Sequence, residues 1–278
     1  AGRGVGRADQ AIYLAGGPLA NLVTAALAFG LLPLLTGAPW LASGLMGLGA
    51  GALLVGVLNL VPFHAQGWRS DGRGLLDLLL RSPDADLVHR IQHVMSLSLA
   101  DVRPRDWPEA ALPAANAVIA SSGLQQTAQM LRLSRAIDGR DAGAGRPDAL
   151  ALTAAFATAP PVFQSAIAVM LASHAALLVE DRDLVSVWRL RCDGGLMDLS
   201  PYRAWLDAEI ARLDGDAAAV GMHVGHARSL IDRIPDAASR LVLEERLAVL
   251  AERAAAGAGM QAGHTTRRGR TRAADCRF

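Results

Sequence analysis

"NLVPFHAQGWRSDGRG", Asn59 to Gly74, is where the character of the chain changes. Upstream, the 59 residues from Gln10 to Trp68 contain no Asp, Glu, Lys or Arg; from Arg69 onward charges recur every few residues. One buried helix of a soluble core does not need such length, whereas two membrane spans of about 20 residues each fill it. The chain therefore reads as all-α: a two-helix transmembrane hairpin followed by a soluble helical domain. Asp71 sits at the junction, nine residues after Pro62. Either it turns the chain away from the bilayer, or it holds a ligand at its edge.

Composition agrees with a mixed chain. Over 278 residues, 52% are hydrophobic and mean hydropathy is +0.27, high for a wholly soluble protein. All 27 basic residues are arginine, a pattern of GC-rich codon usage, and the net charge of +1 excludes a strongly basic nucleic-acid binder. Cys192 and Cys276 stand alone without CxxC spacing, which argues against a disulfide framework or a cysteine zinc site and suits a reducing cytoplasm. Ala1 to Gln10 offers no basic, apolar and cleavage regions in succession, so it is not a signal peptide. Starting at Ala1, the sequence is expected to be missing an N-terminal portion.

The first apolar segment spans about Leu14 to Leu35, with Pro18 the expected helix start, because proline suits the first turn. Thr36 to Pro39 forms an uncharged turn, and the second segment runs from Trp40 to Leu60. Gly47 and Gly51 make a GxxxG, which admits a closely packed helix in lipid. Arg3 and Arg7 precede the hairpin and Arg69, Arg73 and Arg81 follow it, which places both ends on the cytoplasmic side.

Beyond Pro83 the apolar residues recur at helical spacing, as in Leu206, Ile210 and Leu213 or Leu243, Leu247 and Leu250. Helices are expected over Asp84 to Leu99, Leu112 to Ile137, Pro147 to Ala157, Val162 to Val179, Asp183 to Arg191, Pro201 to Leu213, Ala217 to Ile234 and Asp236 to Ala256. Asp138 to Arg146 reads as a linker. The expected organisation is a membrane-embedded core over 1–82, a helical connection over 83–138, a soluble helical domain over 139–256 and a disordered basic tail over 257–278. Paired helices of this length resemble a tetratricopeptide-like solenoid, without a clear consensus of about 34 residues.

Two motifs bracket the hairpin: "GGPLAN", Gly16 to Asn21, and "NLVP" at Asn59 to Pro62 followed by Asp71 and Gly72. Together they resemble the site-2 protease family of intramembrane zinc metalloproteases, in which a GPxxN-type motif opens one core helix and an NxxP segment leads to Asp-Gly. The resemblance covers about Ala11 to Leu80. It implies peptide-bond hydrolysis in membrane-associated protein substrates, a Zn2+ cofactor, and residence in a bacterial inner (cell) membrane with the C-terminal region cytoplasmic. By the same resemblance Asp71 is a zinc ligand and Asn21 braces the substrate or its developing oxyanion. Gly17, Pro18, Asn59, Pro62 and Gly72 then shape the site. A catalytic zinc takes three protein ligands and keeps one position for water; bound there, it lowers the pKa of that water to about 7.

The chain departs from the family in two ways. It contains no HExxH, the motif that supplies two histidines and the general base, and eight residues separate Pro62 from Asp71, more than the family's commonest form. "HRIQH", His89 to His93, lacks the glutamate, and "HVGH", His223 to His226, is equally weak. Plain structural readings stand beside the catalytic ones: Ser70 or Asp71 as a helix cap, Asn21 as a polar residue between helices, Pro18 as a helix start. A catalytically inactive, membrane-anchored helical adaptor that binds protein partners is the competing function.

Overall fold

The structure, a computed structural model, describes residues 7–65, 68–114, 122–195 and 197–274. Apart from one two-residue antiparallel ladder, its regular elements are helical. Contacts divide the chain into two compact units: Ala1–His93 with Pro113–Gln125, and Val94–Leu112 with Gln126–Phe278.

The first unit is built on α1 (Arg7–Leu31) and α2 (Pro39–Leu60). Gly49 of α2 meets Ala28 and Phe29 of α1, and Gly56 meets Asn21 and Leu22, so the two helices run antiparallel. Pro18, Ala25 and Ala28 are buried on one stripe of α1, Gly49 and Gly56 on one stripe of α2. Small residues on both sides let the backbones approach, which drives helix association where lipid is as apolar as leucine. Gly47 and Gly51, the GxxxG singled out above, have nothing within 4 Å of where a β-carbon would stand. The hairpin packs through the other face of α2.

Only 17% of the apolar window of Arg7–Leu34 and 11% of that of Pro39–Leu60 is buried within the protein. Leu19, Val23, Leu27, Leu53, Leu54 and Leu58 all face outward. These two helices are long and apolar enough to cross a membrane and expose most of their apolar surface. A third helical stretch, Pro161–Val179, also qualifies by length and composition, but 61% of it is buried in its own unit. It is core.

The first helix also corrects an expectation. It begins at Arg7, and Pro18 lies inside it. A proline there removes the hydrogen bond to the carbonyl of Leu14. Downstream come β1 (His64–Ala65), β2 (Trp68–Arg69), α3 (Asp71–Leu79) and α4 (Pro83–Leu99), which carries the chain into the second unit.

The second unit contains α5 (Ser122–Asp138, from Gln126 on), α6 (Ala142–Ala155), α7 (Pro161–His174), α8 (Arg182–Arg189), α9 (Ser200–Leu213), α10 (Ala217–Ser229) and α11 (Ala237–Ala274). Each helix from α6 onward packs on its neighbour in the chain; α7 also meets α9, and α9 meets α11. The core between them holds Leu133, Leu152, Ile167, Trp205, Leu206, Leu243 and Leu247, all fully buried. A recurring turn joins the helices. A residue in the left-handed region ends one helix and the next residue, an aspartate, caps the following one: Arg140-Asp141, Glu180-Asp181 and Gly215-Asp216. Asp141 N donates to Ala136 O and Asp216 N to Ala211 O, each at 2.9 Å, which satisfies carbonyls the helix end leaves open. The aspartate carboxylate then accepts from the amide three residues on, at 2.9 Å in all three turns.

The helices depart from the expected layout in two places. The proposed linker Asp138–Arg146 shrinks to Gly139–Asp141, because Asp141 starts α6 five residues before Pro147 would have, and Pro147 lies within that helix. The basic tail expected to be disordered from Gly257 continues α11 as helix to Ala274. Residues 115–121, part of the expected Leu112–Ile137 helix, lie outside the described residues.

Candidate functional site

The loop between α2 and α3 is organised by Ser70. Its hydroxyl donates to Val61 O at 2.6 Å and accepts from Phe63 N and Arg73 N, each at 3.1 Å. Its own amide donates to Phe63 O at 3.2 Å. One buried side chain thus closes the loop opened by Pro62 and caps α3. His64 pairs with Arg69, and Ala65 with Trp68, across the short ladder in between.

Because Ser70 is the cap, Asp71 is not needed for that role. Asp71 is the first residue of α3, half-buried, and its carboxylate has no hydrogen bond or ion pair among the described residues. Its Oδ2 lies 3.9 Å from the point a β-carbon on Gly17 would occupy. The carboxylate therefore faces α1 at the GGP turn of the helix, where glycine leaves room.

Glycines set this approach. A β-carbon on Gly72 would fall on the backbone carbonyl of Leu60, so the start of α3 lies hard against the end of α2. One on Gly74 would stand 2.9 Å from Leu14 Cδ1, so α3 also lies close on α1. The remaining anchor is electrostatic. Asp77, 1% exposed, accepts from Arg69 Nη1 at 3.1 Å and from Arg73 Nε at 3.0 Å. Burial pulls the Arg69 guanidinium below its ordinary pKa, while Asp77 and Asp84 oppose that shift and Arg73 adds to it. The two arginines are thereby held by Asp77 and leave Asp71 alone.

Asn21 lies one helical turn beyond Gly17, on the same face and about 6 Å along the axis. Its Cβ is 3.2 Å from the β-carbon position of Gly56. Asn59 lies three residues after Gly56 on α2. Both asparagines are half-buried, and neither carboxamide has a hydrogen-bond partner among the described residues. Helix geometry thus brings Gly17, Asn21, Asn59, Gly72 and Asp71 to the junction of three helices. Pro62 is exposed in the loop, and Pro18 is buried in α1.

His89 and His93 lie on α4, His223 and His226 on α10, and among the described residues no group of three His, Cys, Asp or Glu is placed to hold a metal ion. Asp71 alone does not make a zinc site. Ser70 is the residue whose weight the sequence understated: "SDG" offered two capping candidates, and only the three-way bonding of Ser70 separates them.

No family model matches the chain, and neither curated proteins nor solved structures provide a match.

Proposed function

We propose that this chain forms part of an intramembrane zinc metalloprotease of the site-2 protease kind, hydrolysing peptide bonds of membrane-associated protein substrates. One observation carries the reading: an unpaired Asp71 carboxylate, relieved of capping by Ser70, faces the Gly17-Pro18 turn of an apolar helix. An acidic side chain beside apolar spans is costly without a counter-charge, so its retention points to a ligand. Asp71 would then be one zinc ligand, and the others would come from an HExxH helix that this sequence does not contain. Asn21, with its carboxamide free, would hold a substrate peptide by hydrogen bonds. The second unit, a stack of paired helices in which alternate members touch, serves as a tetratricopeptide-like interaction domain on the cytoplasmic side of a bacterial inner membrane.

The reading frame upstream of Ala1 provides the first test: it should encode an apolar helix with HExxH. In the protein that carries it, Asp71→Asn should abolish cleavage of a membrane substrate and lower bound zinc, with thermal unfolding unchanged. Cleavage at the normal rate by that variant would sink the proposal. The alternative, a catalytically inactive membrane-anchored adaptor, rests on the sequence carrying no HExxH. An initiator codon close to Ala1 with no HExxH would decide for it.

A further inference from the structure

Within the second unit α5, α7, α9 and α11 line a partly open cavity of about 170 Å³. Its walls are apolar, formed chiefly by Met130, Ile137, Val169, Met170, Leu199 and Val242. One cation reaches it, Arg246 of α11, whose guanidinium lies over the Trp205 ring at 4.9 Å from the centroid. That contact is attractive but supplies no counter-charge.

The carboxylates nearby are already taken. Asp138 accepts from Arg103 Nη2 at 2.7 Å and from Arg105 N at 3.1 Å. Glu209 accepts from Arg212 Nε at 2.7 Å. Glu245 pairs with Arg103, and stands 3.7 Å from Arg105. Unlike Arg103, Arg132, Arg189 and Arg212, each bonded to a carboxylate, Arg246 has no ion pair or hydrogen bond among the described residues. Burial pulls its guanidinium down to about 10, against the weaker pull of Asp138, Tyr202 and Glu209. Arg246 is half-buried and stays charged at neutral pH, and a guanidinium partly withdrawn from water beside apolar walls gains from an anionic partner. The Tyr202 hydroxyl and the Ser239 side chain give the same wall a polar edge.

We propose that this cavity binds a small apolar monocarboxylate, its carboxylate on Arg246 and its hydrocarbon against the methionine, isoleucine and valine walls. An apolar cavity of about 150 Å³ accepts benzene, so the hydrocarbon is about the size of one aromatic ring. A neutral ligand leaves Arg246 unpaired. A phosphate dianion brings a second charge that a single arginine does not neutralise. The site is independent of the protease reading and of Asp71.

The test uses the full chain in detergent, with calorimetric titration and the thermal melting of its helical signal. Benzoate and phenylacetate should bind and raise Tm; benzyl alcohol should do neither. Arg246→Met should weaken benzoate binding about tenfold or more, the worth of a charge-assisted hydrogen bond. Should Arg246→Met fail to fold, Ala166→Leu keeps the charge and fills the cavity from α7; it should fold and lose benzoate binding. Peptides ending in phenylalanine, as free acid and as amide, identify the source of the carboxylate. If the free-acid peptide binds more tightly than benzoate and the amide does not bind, the natural ligand is a polypeptide C-terminus; if benzoate binds and neither peptide does, it is a free acid. Equal binding of alcohol and acid, undiminished binding by Ala166→Leu, or no carboxylate binding at millimolar concentration would overturn the proposal.

Discussion

At the scale of single residues, neighbours in the chain have opposite roles. Ser70 holds three backbone groups, whereas Asp71 holds none among the described residues. Ser70→Ala should therefore cost about 1–3 kcal/mol, the range for losing a cap and leaving buried backbone groups unpaired. Asp71→Asn should change stability by less than about 0.5 kcal/mol. Thermal unfolding of the two variants checks the contrast, and a large loss on Asp71→Asn would show that its carboxylate is structural. Cys192 provides a pH-dependent case. It is fully buried, its thiol bonded to Trp188 O at 3.3 Å, and burial pushes its pKa from 9.0 up to about 12. The folded state thus keeps a proton that the unfolded chain releases first, so the thiol's contribution is present below pH 9 and lost as pH rises toward 12. The stability difference between the wild type and Cys192→Ala should narrow over that interval, and Cys192 should resist thiol reagents in the folded protein.

At the scale of elements, stability concentrates where helices meet without side chains. Gly72 sits where any β-carbon meets the Leu60 carbonyl, an obstacle that no rotamer relieves. Gly72→Ala should rank among the largest single-residue losses, above about 4 kcal/mol, because backbone must move. Circular dichroism melts in detergent measure it, and a loss under 1 kcal/mol would contradict the close approach of α2 and α3. The recurring turns of the second unit work differently. Glu180 occupies the left-handed region at φ 58°, which costs a non-glycine residue about 1–2 kcal/mol. Glycine has no such cost, and the Glu180 carboxylate lies 3.6 Å from Arg212 on the surface, a weak contact. Glu180→Gly should therefore raise stability by up to about 1 kcal/mol after its added chain entropy. A lower Tm would mean that the ion pair outweighs backbone strain.

For the whole molecule, two helices expose their apolar faces and the remaining candidate span buries most of its own. By the positive-inside rule, the arginine flanks and the uncharged Thr36–Ala38 turn predict that both ends of the hairpin lie on one side of a membrane. Cysteine labelling in intact cells, with Cys192 and Cys276 replaced, checks this arrangement. A reagent that does not cross the membrane should modify Gly37→Cys and spare Leu80→Cys; the reverse pattern would invert the topology.

Local chemistry alone determined the broad architecture. An uncharged block of 59 residues gives two helices long and apolar enough to cross a membrane, and helical periodicity with Asp-rich breakers survives any tertiary arrangement. Hydropathy, periodicity and turn propensity belong to short windows, and so α2, α7 and α9 appear close to where the sequence puts them. Tertiary structure decided everything that depends on distance between remote residues. Gly49 and Gly56, not Gly47 and Gly51, carry the hairpin because α1 lies on that face. Ser70, not Asp71, caps α3 because Val61 and Phe63 come within reach. Arg246 is left without a counter-ion because Asp138, Glu209 and Glu245 have nearer arginines. Composition counts charges; only the packed chain assigns their partners.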